Sequence, residues 1–241
     1  METTSTDVDA SAIAERLAAV RERIAAACER AGRPASSVTL VAVSKTFPLA
    51  AVEAAYAAGA RHFGENKVQD LVEKAEAMPG QTGGGDLCWH MIGHLQRNKA
   101  KDVVAHADLF EALDSPRLAK ELNKRAEAEE RVVPCLVQVN VSGEESKYGL
   151  GPDHVHDFLD QVAAYEGLRV RGLMTLAAPA DDSEDVRPQF ELLRRLAETY
   201  PGNARAGLDV LSMGMSGDFE VAIEEGATHV RIGSAIFGPR G

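Results

Sequence analysis

Residues 38–48, "VTLVAVSKTFP", run from a β-branched apolar segment straight into a lysine and a turn. An apolar run without polar alternation reads as a strand buried on both faces, the kind found in parallel sheets covered by helices. Lys45 then falls at the carboxyl end of that strand. Lysines in such places ordinarily reach solvent, so the meaning of Lys45 depends on the architecture around it.

Working outward, residues 8–31 place Ile13, Leu17, Val20, Ile24 and Cys28 at three- and four-residue intervals, one apolar helical stripe that Gly32 and Pro34 end. Downstream, strand-like runs recur at 38–43, 61–65, 88–93, 109–113, 132–140, 168–175, 208–213 and 228–233. Helical stretches such as "LAAVEAAYAAG", "SPRLAKELNKRAEAEE", "EDVRPQFELLRRLAETY" and "GDFEVAIEEGA" lie between them. Strands alternating with helices call for a parallel sheet with right-handed crossovers. Eight such units predict a closed (β/α)8 TIM barrel with an extra N-terminal helix, over one domain spanning 1–241; a doubly wound sheet is the alternative. "GQTGGGD" (80–86) reads as a flexible loop within that domain.

The composition narrows the function. A formal net charge of −11 over 241 residues opposes a general attraction to nucleic acid or anionic lipid. With 45% hydrophobic residues the chain can bury a large core and has no apolar stretch long enough to span a bilayer. No basic, then apolar, leader opens it, so a cytoplasmic location is expected. Cys28, Cys88 and Cys135 lack the paired spacing of a zinc site or redox dithiol. Small-molecule chemistry remains.

In a barrel, ligand sites form at the carboxyl ends of the strands. Lys45 shares strand parity with Val41 and Val43, so its amine is expected over the barrel mouth if those two face inward. Partial burial disfavours an ammonium, and enzymes use this to bring lysine to roughly pKa 7–8, where the neutral amine attacks carbonyls. Near the other end, "LSMGMSGDFEVAIEEGA" reads as strand, Gly/Ser turn and helix, with Ser216 as the expected helix cap, and "VRIGSAIFG" as the last strand and its exit. Loops after strands seven and eight of barrels frequently hold phosphate. An amine facing a phosphate cradle suits an aldehyde that carries a phosphate, and pyridoxal phosphate (PLP) is such a molecule.

The segments "LVAVSKTFP", "HFGENKVQDL", "WHMIGHLQRNK", "VQVNVSGEESKYGL", "VRGLMT" and "LSMGMSGDFEVAIEEGATHVRIGSAIFG" occur in order from about residue 10 to 238. Together they resemble the pyridoxal-phosphate homeostasis proteins, the YggS/PROSC family. The resemblance implies a single barrel similar to the N-terminal domain of alanine racemase, a monomer that holds PLP without catalysis of its own. By motif it makes Lys45 the Schiff-base lysine and sets Asn66 beside the ring. It assigns the phosphate to Ser216, Gly233 and Ser234, with Met213 lining the site and Arg231 near the pyridine nitrogen or the phosphate. An arginine there cannot readily surrender a proton, which makes the ring a weaker electron sink than a carboxylate partner would. Racemases of this fold add a β domain after the point where "IFGPRG" closes this sequence, and without it no obvious acid or base is expected opposite Lys45. The implied partners are PLP and, as acceptors, PLP-dependent apo-enzymes.

Other stretches carry less. His90 and His94 lie four apart without the intervening glutamate of a metalloprotease, so no metal is expected there. His94 is a candidate for the mouth, whereas Arg97 and Lys99 read as solvated. Lys147, in the loop "SGEESKYGL", matches the family pattern as a secondary lysine that receives or passes on the aldehyde. Phe47 departs from relatives that have a second lysine in an "SKTKP"-like stretch. Two other functions fit the same residues: a PLP-dependent racemase or related fold-type III enzyme, and a cofactor-free Schiff-base aldolase.

Overall fold

The computed structural model describes residues 8–144, 147–178, 180–201 and 207–239. Eight parallel strands close in sequence order: β1 (Thr39–Val43), β2 (His62–Glu65), β3 (Cys88–Met91), β4 (Leu109–Leu113), β5 (Val133–Gln138), β6 (Leu168–Met174), β7 (Val210–Ser212) and β8 (His229–Ile232). α1 (Ala10–Arg30) precedes them. α2 (Leu49–Ala57), α3 (Val68–Ala77), α4 (Ala100–His106), α5 (Pro116–Ala128), α6 (Val155–Val162), α7 (Arg187–Thr199), α8 (Phe219–Glu224) and α9 (Ser234–Phe237) each follow one strand. The expected barrel is present and the doubly wound sheet is excluded.

Each predicted strand is found, most of them shorter than its apolar run. Ile92 and Gly93 leave β3 for the loop beyond it, and Lys45 sits two residues past β1, in a turn closed by the Phe47 N–H donating to the Ser44 carbonyl at 3.1 Å. The third residue of that turn, Thr46, has φ of 69°, a left-handed conformation that type II turns demand and β-branched side chains resist. The glycine-rich 80–86 segment is more ordered than expected. It carries a 3-10 turn, Gln81–Gly83, and the Thr82 N–H donates to the Asp108 carboxylate at 2.6 Å. Among the described residues no helix is long and apolar enough to cross a membrane.

Helix α1 starts where the Asp9 carboxylate accepts the Ala12 N–H at 3.0 Å. Its predicted stripe is buried, each large side chain contributing about 1.5–3 kcal/mol. The helix lies against α2, α8 and α9, across the seam where β1 pairs with β8, and Arg23–Glu220 and Arg30–Glu224 pair at its rim, both at 2.8 Å.

The barrel lumen is partly polar. His62 Nδ1 lies 3.0 Å from His90 Nε2, and His90 Nδ1 lies 2.6 Å from Glu111 Oε1. The Ser212 hydroxyl donates to Glu111 Oε2 at 2.5 Å, and Arg231 donates to Ser212 Oγ and to the Thr175 carbonyl, each at 2.6 Å. Burial opposes charge on Glu111, yet His90 and Arg231 overcome it and hold the carboxyl down at about 2. Burial and the adjacent His90 lower His62 and His229 to about 4, so both are neutral at pH 7. A chain of hydrogen bonds thus runs from imidazoles at the amino end to a guanidinium under the carboxyl-end opening.

Candidate cofactor site

Where β1, β2, β3, β7 and β8 end, their loops surround a cavity of about 390 Å³. Lys45, Asn66, Ser216, Arg231, Gly233 and Ser234 all line it, along with Val43, Ile92 and His94. Six of the seven residues named from sequence therefore meet around one opening.

Met213 is the one that does not. Its side chain is fully buried and its N–H donates to the His229 carbonyl at 3.1 Å, while Met215, two residues on and 38% exposed, forms the wall. The reason is length: β7 ends at Ser212 and the chain turns away one residue earlier than the apolar pattern predicts. Ser216 also differs from expectation. Helix α8 begins at Phe219 with Asp218 in the cap position, and the Asp218 carboxylate accepts the Met215 N–H at 2.5 Å. Ser216 is thereby released to the cavity, its hydroxyl 3.3 Å from that of Ser234. Two hydroxyls from loops after adjacent strands come together, as an oxyanion ligand would require.

Two close approaches shape the opening. A Cβ built on Gly93 would collide with the Asn66 carbonyl, so the loop after β3 can pass Asn66 only as glycine. A Cβ on Gly233 would lie 3.2 Å from the Val43 carbonyl, so the chain leaving β8 stays tight against β1. Arg231 forms the floor: it is 3% exposed, its charge disfavoured by burial and sustained by Glu111, 3.9 Å away, and by Asp218.

Beneath the Lys45 turn lies a buried cluster that sequence reading missed. Lys74 Nζ donates to Glu65 Oε1 at 2.6 Å and to the Ser44 carbonyl at 2.9 Å, and the Ser44 hydroxyl donates to the same carboxylate oxygen at 2.6 Å. Burial raises the Glu65 pKa, and Lys74 and Ser44 pull it back toward ionisation. The pair fixes the residue before Lys45 and the residue before Asn66 to one helix. Asn66 keeps a buried side-chain oxygen without a hydrogen-bond partner, a polar group poised for a ligand in a cavity that its residue lines.

Sequence reading also missed Gln138, Tyr148 and Leu176 in the wall. Tyr148 stacks on His94 with ring centroids 3.9 Å apart, and His94 Nδ1 lies 3.2 Å from Asp114. His94 therefore stands at the mouth as expected, and Tyr148 joins it there. Tyr148 is 59% exposed, so this side is open to water. Lys147 lies outside the main wall, in an adjoining cavity of about 190 Å³ with Gln138 and Tyr148, and pairs with Glu144 at 2.9 Å. Arg97 is exposed and neither it nor Lys99 lines the opening. Phe47 packs on Phe237, ring centroids 5.1 Å apart, and so ties the Lys45 turn to α9. A larger cleft of about 550 Å³, by Val132, Arg169 and Asp209, holds none of the predicted residues.

An amine, two adjacent hydroxyls, an unpartnered amide oxygen and a guanidinium floor form a donor set that fits an aldehyde bearing a phosphate. Comparison with known proteins agrees. Residues 16–241 match the family model described as alanine racemase, N-terminal domain. The pyridoxal phosphate homeostasis protein of Escherichia coli (strain K12) is 45% identical over 230 residues, covering 95% of this chain and 97% of that one. The structure of PipY from Synechococcus elongatus with PLP bound superposes with a TM-score of 0.78 at 36% identity, covering 94% of this chain and 100% of PipY. Alanine racemase of Bartonella henselae, at 16% identity and a TM-score of 0.73, shares the fold over 97% of this chain and 60% of its own. The chain belongs to the pyridoxal phosphate homeostasis protein family, built on the barrel of the alanine racemase N-terminal domain.

Proposed function

We propose that this protein binds PLP in the carboxyl-end cavity and takes part in PLP homeostasis as a carrier, without turning over an amino acid. The observation that carries the reading is the convergence of Lys45 with Ser216 and Ser234 on one cavity, in a family whose member PipY has been solved with PLP. When bound, the cofactor supplies an aldehyde for reversible imine formation and an electron-accepting ring. Lys45 would hold the cofactor through that aldehyde, its Nζ supplying the amine. Ser216 and Ser234 would hold the phosphate through hydrogen bonds from their hydroxyls, and Asn66 and Arg231 would hold the ring. A guanidinium stays protonated, so Arg231 beside the ring nitrogen would give it no proton and would leave the ring a weak electron sink. The exposed Tyr148 admits water, which suits release of a cargo better than protection of a reactive carbanion.

The groups at the mouth give the enzyme alternative a specific form, with Tyr148 or His94 exchanging a proton with a bound amino acid. One experiment separates the readings. Purified protein is mixed with PLP, reduced with borohydride, digested and mapped, in parallel with an amino-acid racemisation assay. The carrier reading expects a stoichiometric adduct at Lys45, its complete loss in Lys45→Ala, and no turnover. Turnover that disappears in Tyr148→Phe would establish the enzyme instead, and the absence of any adduct would sink both. As a secondary acceptor, Lys147 is expected to matter in handover alone: Lys147→Ala slows PLP release to an apo-enzyme and leaves the Lys45 adduct intact.

A further inference from the structure

The opposite end of the barrel holds a cluster that PLP binding does not use. His62 at the start of β2, Cys88 at the start of β3 and His90 two residues on bring one ligand atom each within 4.8 Å of one another. We propose that these three residues form a site for Zn2+.

The donor set is the first argument. Two imidazole nitrogens and a sulfur suit Zn2+ and exclude Mg2+ and Ca2+, which prefer oxygen. Orientation is the second. With His90 Nδ1 held by Glu111 at 2.6 Å, the ring's other nitrogen, Nε2, faces His62 Nδ1 at 3.0 Å. A carboxylate behind the ligating histidine is the arrangement that fixes tautomer and ring direction in zinc sites. Spacing is the third. Bond lengths of about 2.0–2.3 Å in a tetrahedron put donors roughly 3.3–3.7 Å apart, so side-chain adjustments of about 1 Å complete the set. Access is the fourth. His90 is buried, but Cys88 is partly exposed and His62 lines a surface cavity of about 450 Å³ beside Thr39 and Leu40, from which water can take the remaining position. Binding releases the Cys88 thiol proton and any proton on the imidazole nitrogens that become ligands.

The test needs neither PLP nor a mutation to begin. Cys28 and Cys135 are buried, so a disulfide-exchange reagent applied to the native, tag-free protein titrates Cys88 first. One equivalent of Zn2+ should slow that reaction at least tenfold, a chelator should restore it, and Mg2+ should leave it unchanged. Co2+ should give tetrahedral d–d bands with a sulfur charge-transfer band that is absent in Cys88→Ser, and His62→Gln should weaken Co2+ binding at least tenfold. Thiol reactivity indifferent to Zn2+, equal protection by Mg2+, or a charge-transfer band that survives Cys88→Ser would each overturn the site.

Discussion

The two ends of the barrel are built from the same eight strands and do opposite things with polar side chains. At the carboxyl end, small residues and hydroxyls on loops surround open volume, with Arg231 as its buried floor and the Glu65–Lys74 pair behind the wall. At the amino end, imidazoles on the strands themselves face each other across the lumen, His229 with its ring 6.0 Å from that of His90. Loops can be rebuilt around a ligand without disturbing the sheet, whereas strand-borne groups move only with the barrel. Adaptable recognition therefore belongs to one end and fixed geometry to the other.

The largest test of this contrast is Lys74→Met, which leaves the Glu65 carboxylate buried with only the Ser44 hydroxyl. Breaking a buried pair costs about 3–5 kcal/mol, so the urea midpoint at pH 7 should fall markedly and PLP uptake should weaken as the Lys45 turn loosens. The deficit should shrink on acidification. A carboxyl whose folded pKa is raised binds its proton more tightly folded than unfolded, so falling pH through that window favours the folded variant. A deficit under about 1 kcal/mol at pH 7 would show that the pair does not support the wall.

A smaller effect is expected for Gly93→Ala. The added methyl displaces Asn66, and if the overpacking cost of about 1–3 kcal/mol falls on the bound state it should appear as a loss of PLP affinity of about five- to 150-fold. Cys88 reactivity should be unchanged, and a matching change there would show that the two ends are coupled. The smallest is Thr46→Gly: removing the left-handed strain, offset by glycine's greater freedom when unfolded, should raise stability by about 0.5 kcal/mol. Calorimetry on the PLP-free protein measures it, and a loss of stability would mean that the Thr46 side chain has a supporting role.

Much of this was legible in the sequence because strand alternation and parity are local. "VTLVAV" followed by Lys45, and "THVRIG" with Arg231 and Gly233 on one parity, place those residues without knowledge of the closure. What stayed hidden depends on closure or on exact strand length. Glu65 and Lys74 become partners only when α3 folds back on β2, and Met215 replaces Met213 because β7 stops at Ser212. The His62–Cys88–His90 cluster lies on neighbouring strands whose register pairs His62 with Cys88, which spacing along the chain does not reveal. Its one signal was the recurrence of histidine near the start of three strand-like runs, "RHFGE", "CWHMIG" and "THVRIG".

The contact of Phe47 with Phe237 joins the first strand's exit to the last strand's exit, at the seam where the chain's beginning meets its end. Lys45 and Ser234 sit on opposite sides of that seam. A molecule gripped by both acts as a clasp on the circle, and occupancy becomes a readout of whether the polypeptide has finished folding. Loading with vitamin B6 should therefore raise global stability with the logarithm of ligand concentration, about 1.4 kcal/mol for each tenfold increase above the Kd, making the cargo a stabiliser of its own container.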